Sequence, residues 1–237
     1  MIKTKEDLKA YIKADLKYYP DTSFFGDLKD KILRNDRYYI RKYIKILRHL
    51  EYYKNNQVNI IYKVYFLYFF VKWKRLSNQM GLVIPPNCCD KGLWLFHTIN
   101  SRTGMVNDAK VGSRVIIRPG VVLGYQGDSM RESMNAPIVD DDVEFSWGAR
   151  AFGKVHIGRG ALIGTNCVVM NNIPPYAMVI GNPGKVIGFT KTPEEIVEYE
   201  KTCYPEQDRL PLEVLNNNYK KYFLSRIKDI KEYMRIH

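Results

Sequence analysis

The sequence predicts an α+β chain: a helical N-terminal domain (1–80), a parallel β-helix built of six-residue repeats (81–189) and a helical C-terminal extension (190–237). Three observations carry this reading. Most of the sixteen glycines lie between Gly81 and Gly188, so the texture of the chain changes sharply near Asn78 to Gly81. Within that stretch apolar residues recur every six positions, at Met105, Val111, Ile117 and Leu123, then at Val139, Phe145, Ala151, Ile157, Ile163 and Val169, with Ile187 in phase. A second apolar series follows four residues behind, at Ala109, Val115, Val121, Val143, Ala149, Val155, Ala161, Cys167 and Ile173. No amphipathic helix holds both offsets for so long, whereas short flat strands joined three to a coil do.

The elements follow in order. Residues 4–18, 37–54 and 58–76 read as helices, with Leu8, Tyr11, Ile12 and Leu16 on one face and Tyr39, Ile40, Tyr43, Ile44 and Leu47 on another. In the repeat region, small residues beside each aliphatic let the backbone turn at the corners. Leu123 and Val139 stand sixteen apart, so the segment "YQGDSMRESMNAPI" must leave the coil as a loop. After Phe189, "TPEEIVEYEKTCY" places Pro in a first helical turn with Glu behind it, and "PLEVLNNNYKKYFLSRIKDIKEYMRI" reads as further helix, an appendage rather than another core.

Composition narrows the function classes. The four cysteines, Cys88, Cys89, Cys167 and Cys203, have no zinc-site spacing and no disulfide pattern, which fits a reducing cytoplasm. The start "MIKTKEDLKAYIKADLKYY" lacks the features of a signal peptide and predicts a chain that is not exported. The net charge of +12 is regional: residues 1–80 hold 18 Lys and Arg against 8 Asp and Glu, and the remainder is nearly balanced. That distribution argues against nucleic acid as partner. Cations alternate with tyrosines in "YYIRKYIKILRHLEYYKNN" and "IIYKVYFLYFFVKWKRL", a pattern explained by Lys and Arg snorkelling over a helical bundle or by a membrane surface, with Trp73 and its basic neighbours at the interface. The apolar run Val64 to Val71 is too short to span a bilayer.

The runs "GLVIPPN" (81–87), "GLWLFH" (92–97), "AKVGSRVIIRPGVVLG" (109–124) and "MVIGNPGKVIG" (178–188), behind the basic start "TKEDLKAYIKAD" (4–15), resemble the serine O-acetyltransferase family. The likeness is to its members from bacterial capsular-polysaccharide gene clusters and reaches to Phe189. It implies a left-handed β-helix, acetyl transfer from acetyl-CoA to a hydroxyl, and no metal. It also implies a cytoplasmic homotrimer, able to pair into a dimer of trimers, with active sites between neighbouring prisms.

A hydroxyl needs a base within hydrogen-bond reach as it attacks a thioester, and histidine suits the task. Of His49, His97, His156 and His237, His97 matches the family's catalytic base, while His156 reads as a corner residue of "KVHIGRG". The resemblance puts the pantetheine arm along corners at Gly124, Ser146, Trp147, Gly164 and Thr165, and Lys185 near the nucleotide phosphates. Substrate contacts map to Val83 and Asn135. Departures are visible: Val83 replaces an acid, Phe96 stands where some members have Asp, Asn135 and Ala136 replace an Arg-His pair, Trp147 replaces a small residue, and "TINSRTG" is longer than the family's segment. The acceptor is therefore L-serine or a sugar hydroxyl of a capsule or O-antigen precursor, with a catalytically idle scaffold as the reading of another class.

Overall fold

The computed structural model describes residues 1–19, 23–97, 101–126 and 135–222. Four helices come first: α1 (Lys5–Leu16), α2 (Phe24–Ile32), α3 (Asp36–Asn55) and α4 (Ile60–Met80). Helix α1 opens on a capping box, in which Thr4 Oγ1 accepts from the Asp7 N–H and the Asp7 carboxylate accepts from the Thr4 N–H. Helix α4 stops where Gly81, at φ 62°, takes the left-handed turn that favours glycine. The sequence reading found α1, α3 and α4 but not α2, a nine-residue helix capped by Ser23.

The prism follows in five coils. The first carries β1 (Leu82–Val83) and β2 (Trp94–Leu95); the second β3 (Thr103–Met105), β4 (Lys110–Val111) and β5 (Ile116–Ile117); the third β6 (Val122–Gly124), β7 (Ile138–Val139) and β8 (Glu144–Phe145). The fourth carries β9 (Arg150–Phe152), β10 (His156–Ile157) and β11 (Leu162–Ile163); the fifth β12 (Val168–Val169) and β13 (Ala177–Ile180), after which β14 (Lys185–Phe189) turns back. Strands stack in parallel into three faces: β1-β3-β6-β9-β12 first, β4-β7-β10 second, and β2-β5-β8-β11-β13 third, with β14 antiparallel at its end. Single bridges from Cys89 to Val111 and from Ile157 to Ile173 extend the second face at both ends.

Both apolar series point inward wherever the coil is regular. Val115, Ile117, Val121, Leu123, Val143, Phe145, Ala149, Ala151, Ile157, Ile163, Cys167 and Val169 are completely buried. The series fails at the far end. Ile163 pairs with Val179, sixteen residues on, where Phe145 pairs with Ile163 at eighteen. The last coil is therefore two residues short, Ile173 takes the place facing Ile157, and Ile187 falls on the antiparallel strand at 39 % exposed rather than in the coil. Trp73 is also inside, donating its indole N–H to Tyr43 Oη at 3.1 Å, so it does not sit at an outer interface.

Along two of the three edges the corners turn on residues at positive φ. Between the second and third faces these are Gly92, Arg114, Asp142, Gly160 and Tyr176; between the third and first they include Gly120, Gly148 and Asn166. The C-terminal extension packs on the first of these two edges. Helix α5 (Pro193–Cys203) starts at a Thr192 capping box, and residues 212–222 are helical. Tyr204 Oη bonds to Arg114 Nη2 at 2.7 Å and to the Asp142 carboxylate. Buried Glu200 accepts from Tyr176 Oη at 2.9 Å and from Arg159 at 3.1 Å. Ile196 and Leu215 pack on Tyr176 in a small core of their own, so the extension does build a hydrophobic cluster.

Helices and prism share one continuous core. Its hinge is Arg48 on α3, wholly buried. The guanidinium donates to Asp15 on α1 at 2.7 Å, to Glu51 at 2.9 Å, and to the Cys89 and Asp90 carbonyls of the first coil at 2.8 Å each. Asp15 in turn accepts from the Gly92 and Leu93 N–H groups, and Glu51 from that of Asn87. Burial would lower the Arg48 pKa, but the Glu51 and Asp15 charges outweigh it and hold the pKa above its usual value. Arg48→Ala leaves two buried carboxylates without their cation, and urea unfolding is expected to show a loss of about 3–5 kcal/mol.

Candidate active site

His97 lies where the coil is interrupted. Leu95 and Met105, on adjacent rungs, are ten residues apart where the beat needs six, so extra residues leave the prism at the edge between its third and first faces. His97 and Arg102 flank this excursion, both at φ 50°. Residues 98–100, within the longer segment noted in the sequence, lie outside the described residues. The imidazole packs edge-on against Phe96 at 4.6 Å between centroids; on Phe96 rests the Arg118 guanidinium, 5.1 Å from the ring and paired with Glu144 at 2.6 Å.

A carboxylate does stand beside His97, although neither Val83 nor Phe96 provides one. Asp36, first residue of α3, places Oδ2 3.1 Å from His97 Nδ1. A carboxylate can only accept, so Nδ1 carries the proton and Nε2 of the neutral ring is left with a free lone pair. The His97 side chain is 60 % exposed, and Nε2 has no partner among the described residues. Sequence reasoning missed Asp36 because an acid in a first helical turn is ordinary helix chemistry and the two residues are sixty-one positions apart.

The other predicted residues divide between two edges. Ser146 and Trp147 follow β8, Gly164 and Thr165 follow β11, and Lys185 opens β14 beside the last turn, all along the edge that carries His97. Backbone bonds run up this edge, from Gly148 N to Pro119 O and from Asn166 N to Trp147 O, at 2.8 Å each. Trp147 and Thr165 are exposed, and a Cβ on Gly164 would come within 2.8 Å of Ile180. With rungs about 4.8 Å apart, His97 and Lys185 are separated by about 19 Å of edge. Gly124 and Asn135 are not on it. They sit between the first and second faces, at the two ends of the predicted loop, where Asn135 Nδ2 donates to Gln126 O at 2.7 Å; residues 127–134 of that loop lie outside the described residues. Val83 faces outward on the first face, beside an open cavity lined by Ser77, Asn78, Arg102, Thr103, Gly104 and Val122, in which Arg102 is the one charged group among the described residues.

The remaining histidines have other surroundings. His156 is on β10 within the second face, not at a corner, with Nε2 2.8 Å from Asp140 Oδ1. His49 lies on α3, its Nδ1 2.7 Å from the Lys45 carbonyl, stacked on Phe69; His237 lies outside the described residues. Cys88, Cys89 and Cys167 are buried and unbridged; burial pushes the Cys88 thiol up to about 12 and Cys167 to about 11, so neither is a thiolate nucleophile near neutrality. Among the described residues no cluster of His, Cys, Asp and Glu is arranged to hold a metal ion, and no helix is long and apolar enough to cross a membrane.

No protein-family model matches the chain. It is 42 % identical over 92 residues to the serine acetyltransferase of Mycobacterium tuberculosis, covering 38 % of this chain and 39 % of the relative. To serine acetyltransferase 4 of Arabidopsis thaliana it is 32 % identical over 133 residues, covering 54 % and 36 %. The chain thus spans less than half the length of these relatives. Among solved structures, the serine acetyltransferase of Neisseria gonorrhoeae superposes with a TM-score of 0.55 at 24 % identity, over 80 % of this chain and 67 % of the other. The soybean serine acetyltransferase complexed with serine superposes at 0.58 and 21 %, over 77 % and 70 %. In sequence over a third to a half of its length, and in fold over about four fifths of it, the chain is similar to the serine acetyltransferases.

Proposed function

We propose that this protein is an acetyl-CoA-dependent O-acetyltransferase with L-serine as acceptor and His97 as general base. The observation that carries the reading is the His97–Asp36 pair, set on the edge of a six-residue-repeat prism similar to serine acetyltransferases. Nε2 takes the proton of the acceptor hydroxyl as its oxygen attacks the thioester carbonyl; the tetrahedral intermediate collapses and expels CoA thiolate, which recovers that proton from the imidazolium. Asp36 positions the ring and stabilises the imidazolium. Trp147 and Thr165 would line the path of the pantetheine arm, and Lys185 would meet the nucleotide phosphates at its far end.

The division of candidate residues between two edges supports a homotrimer. One prism cannot bring Asn135 to His97, but a threefold assembly sets one chain's loop edge beside the next chain's His97 edge. The third edge, the one carrying the C-terminal extension, is left outside. In this reading the coil is left-handed, residues 1–80, 81–189 and 190–237 act as helical, catalytic and bracing units, and the enzyme works in the cytoplasm. The cavity beside Val83 favours a second acceptor class: among the described residues its charged lining is the cation Arg102 alone, which suits an acceptor without an amine, such as a sugar hydroxyl.

Three outcomes are expected. Light scattering gives a trimer, three times 27.8 kDa, or a pair of trimers. CoA release in a panel of L-serine and capsular monosaccharides is seen with at least one acceptor, and His97→Asn lowers it by about 10²- to 10⁴-fold. No release and no CoA binding by calorimetry would leave the scaffold reading. Asp36→Asn lowers kcat by a smaller factor, about tenfold, and changes the His97 tautomer ratio in ¹⁵N spectra, which a purely structural loss would not do.

A further inference from the structure

Among the described residues, the outward side of α4 has no partner within the chain. At 100° per residue, Ile60, Val64, Leu67 and Val71 form one straight stripe pointing away from the core, and they are 72, 60, 59 and 39 % exposed. Tyr68 and Ile61 widen it, at 48 and 60 %. The inward side is filled by Trp73, Leu76 and Met80, so the stripe is surplus to the fold. Lys63 and Lys74 border it on one side, Lys72 and Arg75 on the other. A contiguous exposed apolar stripe of this kind marks a docking surface.

Charge identifies what it docks on. Between Glu51 and Asp90 the chain has no acidic residue and five cations, Lys54, Lys63, Lys72, Lys74 and Arg75. The Lys72 ammonium lies 4.1 Å from the centroid of the Tyr68 ring and donates to the Tyr68 hydroxyl, at the border of the stripe. Beside α4, a cavity of about 320 Å3 is lined by Tyr38, Arg41, Lys42, Lys45 and Lys72, and its one acid among the described residues, Asp27, is bound to Arg41 at 2.7 Å. Pairing α4 with its counterpart from another copy would oppose cation-rich surfaces with no carboxylate between them. An apolar stripe rimmed by Lys and Arg, next to a cationic pocket, instead fits the surface of an anionic bilayer, the stripe among the acyl chains and the pocket on lipid phosphates.

We infer that α4 is a peripheral membrane-docking helix that holds the protein on anionic lipid. This stands apart from the acyl-transfer reading and does not depend on it. The test is co-sedimentation of the full chain with vesicles of phosphatidylcholine alone or mixed with phosphatidylglycerol. Partitioning is expected onto the anionic vesicles, falling about fivefold for each cation removed in Lys72→Gln and Lys74→Gln, and lost in Val64→Glu/Leu67→Glu with the circular dichroism spectrum unchanged. Failure to pellet with anionic vesicles would overturn the inference, as would binding that the charge variants leave intact. So would an assembly, seen by light scattering without lipid, that Val64→Glu/Leu67→Glu halves in mass while vesicle binding is absent, since a second copy would then cover the stripe.

Discussion

The guanidinium of Arg48 joins α1, α3 and the first coil of the prism, and the position of α3 relative to the candidate base follows from that junction. A β-helix is open at its ends, where unpaired N–H and C=O groups invite further strands. Here the first coil is closed by side chains instead: Asp15 takes two of its N–H groups, Arg48 two of its carbonyls, and Tyr43 Oη the N–H of Ile84. Taking an arginine and two acids out of water is costly, and the cost is met only because these groups are bonded to one another and to the backbone. The result is a fixed angle between α3 and the prism. That angle brings Asp36, at the far end of the same helix, to His97.

The prism was legible because its geometry dictates its period. Each inward side chain must be followed by another six residues on, and the aliphatic residues at Ile117, Leu123, Ile157 and Ile163 obey that rule without exception. The last coil was misread because losing two residues preserves the apolar texture while shifting the register, so Ile187 still looked in phase. Helix α2 went unread for a different reason: Phe25, Leu28 and Ile32 do fall at helical spacing, but nine residues make only about two and a half turns, with Gly26 among them. The candidate base was named from its motif, but its carboxylate partner was out of reach, because local spacing contains no information about which helix terminus is folded back on a given corner.

The three edges of the prism differ in what occupies them. The edge under the C-terminal extension turns at Arg114, Asp142 and Tyr176, three side chains in a conformation that ordinarily favours glycine. Ion pairs hold these strained corners: Arg114 binds Asp142 on the next coil, and Tyr204 bonds to both. The edge bearing His97 turns on His97 and Arg102 at its first coil and on Gly120, Gly148 and Asn166 farther along. Ion pairs, together with the C-terminal extension's Tyr204, brace one edge, whereas the other carries the His97–Asp36 pair.

The exposure of the candidate base bears on how it would act selectively. An imidazole open to water would exchange protons indifferently, and its usefulness depends on a fixed direction of approach. Here the ring has little freedom: Asp36 holds Nδ1, Phe96 meets the ring edge-on, and Arg118, paired with Glu144, holds Phe96 from behind. Each contact comes from a different coil or helix, so a shift of the helical domain against the prism would misalign the base without touching any group that reacts. The buried charges around Arg48 and the exposed pair at His97 are therefore two ends of one positioning device, and the rigidity of the first is what gives the second its direction.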